Sequence, residues 1–244
     1  MSGLSAAELL DVWERGLAKS PAQRALSLLE TAATDVRRET LSSLSIGQRD
    51  ARLLALRESV FGSQLASTAQ CPACGERLEM TLNTADLRIA EASEVLEMFE
   101  VRVAEHLVRC RLPNSTDLRA IEAQADVASA RESLLALCLI SAEANGVPVP
   151  VAQLSEAVLE EVIARLGEAD PQAVIELALA CPQCHTQWSA LFDIAAYFWT
   201  EIHAWARRLL REVHLLASTY GWSEAEIVGM SAARRGMYLE MISA

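Results

Sequence analysis

The sequence predicts a mainly α-helical protein with a small β component, its helical segments joined by a compact clasp of short strands. Three observations lead there. Capping boxes and three- and four-residue apolar steps recur along most of the chain. Two short runs alternate apolar and polar residues, Leu78-Met80-Leu82 and Trp188-Ala190-Phe192. Each run follows a C-P-x-C turn, Cys71-Pro72-Ala73-Cys74 and Cys181-Pro182-Gln183-Cys184.

Ser5 with Glu8 forms a capping box before Leu9, Leu10 and Trp13. Ser20 with Gln23 repeats it, with Pro21 at the first helical position and Leu26, Leu28, Leu29 and Ala32 beyond. Ser45 with Gln48 opens a third helix, lined by Leu53, Leu54, Leu56, Val60 and Phe61 and ended by Gly62. After the first knuckle and its strand, residues 99–112 read as extended, closed by Pro113. Asn114, Ser115 and Thr116 offer N-caps for a helix through Leu118, Ile121 and Ala125. A further helix is expected over residues 128–144, ending near Asn145-Gly146, with Pro148 and Pro150 in a loop. Residues 154–166 are expected to be helical with Gly167 as the stop, and residues 173–179 to form one more helix. After the second knuckle, a long amphipathic helix is expected over residues 194–219, with Phe198, Ile202, Trp205, Leu209, Val213 and Leu216 on one stripe. Gly221 ends it. Ser223 with Glu226 caps a turn, and a short helix over residues 232–242 follows. No repeat is read beyond the paired knuckles. The expected organisation is a helical region at 1–66, a clasp at 67–114 and 178–193, a helical insertion at 115–177 and a C-terminal helical region at 194–244.

The knuckles carry the chemistry. Zinc takes soft ligands in a tetrahedron, and two C-x-x-C turns supply four thiolates at the right reach. Cys71, Cys74, Cys181 and Cys184 are therefore the expected ligands of a structural Zn2+, held in a zinc-ribbon-like clasp. The knuckles lie far apart in the chain, so the ion would tie distant parts together. A closed four-thiolate shell leaves no open position for water, so catalysis by this metal is not expected. A redox C-x-x-C pair is the competing reading. His185, directly after Cys184, either replaces a thiolate as metal ligand or, as is more common, orients a sulfur or faces solvent. Cys110 and Cys138 stand in apolar runs and read as buried thiols. His203 and His214 share a helix face but are too widely spaced for a metal pair, and His106 has no readable partner.

Composition limits the function classes. The chain has 244 residues, 52% hydrophobic and 22% charged, enough to build a core. The net charge of −12 argues against nucleic acid as a partner, because phosphate binding needs clustered cations. No apolar run of about eighteen residues is present, so no membrane partner is expected. The first five residues lack a basic region, which makes a cytoplasmic location the default. No nucleophile elbow, phosphate loop or kinase signature appears, and Glu160 with Glu161 read as solvated helix face. Nine of the twelve aromatic residues follow position 187, among them Tyr197-Phe198-Trp199, which cannot all face one side of a helix. Either that helix is buried on several sides or part of it meets a partner.

Several stretches carry a family resemblance. They are Ser45-Ile46-Gly47-Gln48-Arg49-Asp50 with Leu53-Leu54 and Phe61-Gly62, then Arg111-Leu112-Pro113-Asn114-Ser115 with Asp117-Leu118. Gly221-Trp222-Ser223-Glu224, Arg234-Arg235 and Tyr238-Leu239-Glu240-Met241-Ile242 complete the set. Together they resemble the baseplate-associated proteins of contractile phage tails and phage-tail-like injection particles, some of which are described as hub assembly chaperones. The resemblance implies a non-enzymatic assembly or structural role, with baseplate or hub proteins as partners. The segment from Trp222 to Met241 is either a contact surface for them or a helix pair packed on its own core. It says nothing about zinc. A zinc-ribbon regulator acting on proteins or the transcription machinery is the alternative reading.

Overall fold

In the computed structural model, which describes residues 3–89 and 98–243, the helix starts follow the capping chemistry. Residues 90–97, inside the segment grouped above with the clasp, lie outside the described residues, as do 1–2 and 244. Helix α1 (Ala6–Gly16) begins at Ser5, with Ser5 and Glu8 bonded reciprocally. Helix α2 (Pro21–Ala32) uses Ser20 and Gln23 in the same way. A short α3 (Arg38–Ser42) leads to α4 (Ile46–Phe61), boxed by Ser45 and Gln48.

Strands β1 (Gln64–Gln70) and β2 (Arg77–Asn83) form a hairpin, followed by the single turn α5 (Thr84–Leu87). Strands β3 (Phe99–Val103) and β4 (His106–Cys110) form a second hairpin. Then come α6 (Ser115–Ile121), α7 (Val127–Cys138), β5 (Leu139–Ala144), β6 (Val147–Val149) and α8 (Glu156–Ala169). A third hairpin of β7 (Ile175–Ala180) and β8 (Gln187–Phe192) feeds α9 (Ile194–Tyr220). Helices α10 (Glu224–Val228) and α11 (Ala232–Ser243) follow. The protein is thus mainly α with a small β component.

Three apolar clusters hold it together. The largest joins α1, α2 and α4 to the first turns of α9, and takes in Leu65 of β1 and Ile175 of β7. The second packs the antiparallel sheet β3-β4-β5-β6 against Val158 and Val162 of α8. The third closes the far half of α9 with α10 and α11, around Leu209, Val213, Leu216 and Ile227. Helix α9 therefore runs through two clusters. Its 27 residues span about 40 Å at 1.5 Å per residue.

Several expectations are corrected. Residues 173–179 are not helical: Ile175, Leu177 and Leu179 alternate, and β7 pairs with β8. The helix expected over 128–144 stops at Cys138, and residues 139–144 form β5. Asn145 and Gly146 both have positive φ, 50° and 77°, and make a two-residue hairpin turn rather than a helix end. Pro148 lies in β6, not in a loop. Gly167 does not stop α8, which continues to Ala169. The extended region at 99–112 turns back at Ala104, φ 51°, to pair with itself.

The aromatic run at the start of α9 is enclosed by the protein itself. Phe198 meets Phe61 edge-on. Trp199 lies against Gly16, where a Cβ would come within 2.2 Å of its ring. The Tyr197 hydroxyl donates to the Ala66 carbonyl at 2.9 Å.

Candidate metal centre

Each knuckle sits at the tip of a hairpin. Cys71 follows β1, and Cys181 follows β7. The turns close identically. The Cys71 N–H donates to the Glu76 carbonyl at 2.8 Å, and the Gly75 N–H donates to the Cys71 carbonyl at 3.0 Å. In the second turn, Cys181 N–H to Thr186 carbonyl is 2.9 Å, and His185 N–H to Cys181 carbonyl is 2.9 Å. Both turns need a left-handed residue after the second cysteine. Gly75 supplies it at φ 76°, and His185 is held there at φ 59°.

The hairpins are rooted so that their tips converge. Leu65 and Ile175, near the two bases, are buried in the main cluster. Asn83 and Asp193, at the two exits, cap the helices that follow. Arg57, at 2% exposure, donates to both carboxylate oxygens of Glu201, at 2.8 and 2.6 Å, and to the Gly62 carbonyl at 2.7 Å. That ties α4 and α9 together at the root of the first hairpin.

The result is a single cluster of sulfurs. The Sγ atoms of Cys71, Cys74, Cys181 and Cys184 all lie within 4.8 Å of one another. Cys71 is 3.6 Å from Cys184, and Cys74 is 3.6 Å from Cys181. A tetrahedron with Zn–S bonds of about 2.3 Å has an edge of about 3.8 Å, so the donor set matches a metal-sized centre. The first cysteine of each knuckle is buried and the second is exposed. The two exposed thiols are pushed in opposite directions. The Thr186 hydroxyl, 3.3 Å away, and then its backbone N–H pull the Cys184 thiol down to about 6. Cys74 gains from the Glu76 backbone N–H, but the neighbouring sulfurs, Cys184 foremost, push it up to about 12.

The other candidates are placed elsewhere. Among the described residues the four cysteines form the one metal-competent group, and His185 is outside it. Cys110 and Cys138 are buried, and burial pushes each thiol up to about 11. His203 accepts a bond from Trp13 Nε1 at 3.1 Å, while His214 is exposed. Thr186 was missed by sequence reasoning, although its place two residues after Cys184 was the available signal. The Arg57–Glu201 pair was also missed, because residues so distant in the chain give no local pattern.

The chain is thus a helical protein in which distant hairpins gather at a four-cysteine centre. A family described as T4 bacteriophage base plate protein matches residues 14–199, and the chain belongs to it. It is therefore a phage baseplate-associated protein. No curated protein and no solved structure matches the chain. Two of the resembling stretches meet in space. The Ile46 N–H donates to the Pro113 carbonyl at 3.1 Å, and Ser45 bridges to Asn114. Arg111 clamps Asp117 with bonds of 2.6 and 2.7 Å, and Asp117 accepts from the Asn114 N–H. None of the described helices is long and apolar enough to cross a membrane.

Proposed function

We propose that this chain is a non-enzymatic assembly or structural factor for the baseplate of a contractile tail, docking on baseplate or hub proteins. The family match over residues 14–199 carries this reading. The four cysteines hold a structural Zn2+ in a zinc-ribbon-like clasp, supported by their mutual approach within 4.8 Å. The ion fixes the two hairpins, and through them the start of α9, as one unit for docking. The segment from Trp222 to Met241 is the contact surface. Trp222, Tyr220 and Tyr238 cluster there, and Met237 and Met241 are exposed at 60% and 64%. Aromatic and methionine side chains of this kind are enriched where proteins meet.

The test is co-expression with the baseplate proteins of the same particle, followed by size-exclusion chromatography. Co-elution that is lost on Met237→Asp with Met241→Asp is the expected result. Retention of nucleic acid on filters at low salt, with no baseplate protein bound, would point instead to the zinc-ribbon regulator.

A further inference from the structure

The repeat read as two knuckles extends well beyond them. Ser45 is the N-cap of α4, and Ser155 is the N-cap of α8. Cys71 and Cys74 correspond to Cys181 and Cys184, and the left-handed Gly75 corresponds to the left-handed His185. Asn83 caps α5, and Asp193 caps α9. One constant step along the chain relates every one of these pairs, with no insertion or deletion between them. Strand register obeys the same step. Leu65 pairs with Leu82, and Ile175 pairs with Phe192; Gln70 pairs with Arg77, and Ala180 pairs with Gln187. The buried residue at each hairpin base, Leu65 or Ile175, matches too.

The sulfur contacts add a symmetry. Cys71 faces Cys184, and Cys74 faces Cys181, both at 3.6 Å. Exchanging the two halves turns each contact into the other, which is the mark of a two-fold relation. We infer that residues 45–87 and 155–197 are two copies of one helix–hairpin–helix unit, and that the cysteine centre is their two-fold meeting point. Each copy brings an equivalent half-site of two thiolates, and a divalent ion completes it by bridging to the second copy.

The copies diverge outside that shared part. Helix α4 buries Leu53, Leu54 and Leu56 in the main cluster, whereas α8 turns Val158 and Val162 to the four-stranded sheet. Helix α5 stops at Leu87, whereas its counterpart α9 runs on to Tyr220. The common part holds the ion. The sheet between the copies and the extension after the second lie outside the shared part.

The metal half of this inference rests on the proposed zinc reading. The experiment exchanges residues 70–77 with residues 180–187 in the full chain. Metal content is read by native mass spectrometry and helicity by circular dichroism. Equivalent half-sites give an exchanged chain with the same metal-to-chain ratio as the parent. A chain with one residue inserted into β2 slips its register and loses the metal. A folded exchanged chain that no longer binds metal overturns the equivalence. If the parent itself holds no metal, the zinc reading fails alone. The duplication is then decided by an experimental structure: superposition of the two segments by a half-turn about an axis between the sulfur pairs supports it, and any other rotation overturns it.

Discussion

At Gly47 the N–H donates to Asp170 Oδ2 at 2.9 Å, so the end of α8 caps the start of α4. A Cβ at Gly47 would meet Asp170 Oδ1 at 2.0 Å. Gly47→Ala is therefore expected to destabilise the protein by about 2 kcal/mol, as overpacking does, measured by urea unfolding. Gain is expected at His185. Its left-handed backbone costs about 1 kcal/mol, partly offset by the entropy glycine loses on folding, so His185→Gly should stabilise by about 0.5 kcal/mol. Asp50 gives a pH dependence. Burial pushes its carboxyl up to about 6 from 3.8, outweighing the attraction of Arg49, 2.7 Å away. The folded state thus holds this proton more tightly than the unfolded state does. Its ionisation lowers stability as pH rises from about 4 to 6, and the loss is constant above that. Asp50→Asn should therefore gain on the parent across that window, by on the order of 3 kcal/mol. Parallel curves for parent and variant between pH 4 and 7 would contradict this.

At the scale of elements, the capping boxes at Ser5, Ser20, Ser45 and Ser223 were legible because side chain and backbone partner lie three residues apart. The stripe of α9 was legible for the same reason, as its apolar steps are periodic along one helix. Strands β5 and β7 were not. Their residues, Leu139 to Ala144 and Ile175 to Ala180, are rich in alanine and leucine and suit either state, and the choice was made by their partners β4 and β8. The four cysteines were legible as a set from their C-P-x-C spacing, while the strands that deliver them, β1 and β7, were not read. Arg57 and Glu201 were invisible for want of any local signal. They join α4 to α9 where the first hairpin leaves. Arg57→Met leaves a carboxylate and the Gly62 carbonyl without their donor, and a loss of about 3 kcal/mol is expected. Replacing Glu201 with leucine in the same chain should recover part of it, because the uncompensated charge is removed. A double variant no more stable than Arg57→Met alone would argue against the pair.

Across the whole molecule, the cysteine centre links segments that sequence keeps far apart. Three apolar clusters exist without it, so metal removal is expected to loosen the clasp rather than unfold the chain. Hydrogen exchange should quicken in β1, β2, β7 and β8 on chelation, or in Cys71→Ser and Cys181→Ser, while α1, α2 and α4 stay protected. Docking onto baseplate proteins should weaken with it, since the clasp holds the start of α9, whose far half packs against the proposed contact segment. The most direct measurement is the metal content of the purified full-length chain, by elemental analysis together with native mass spectrometry. One zinc ion per chain, abolished when Cys71 and Cys181 are both changed to serine, is the expected result. A parent chain with no bound transition metal, its four thiols freely labelled in the native state, would contradict it.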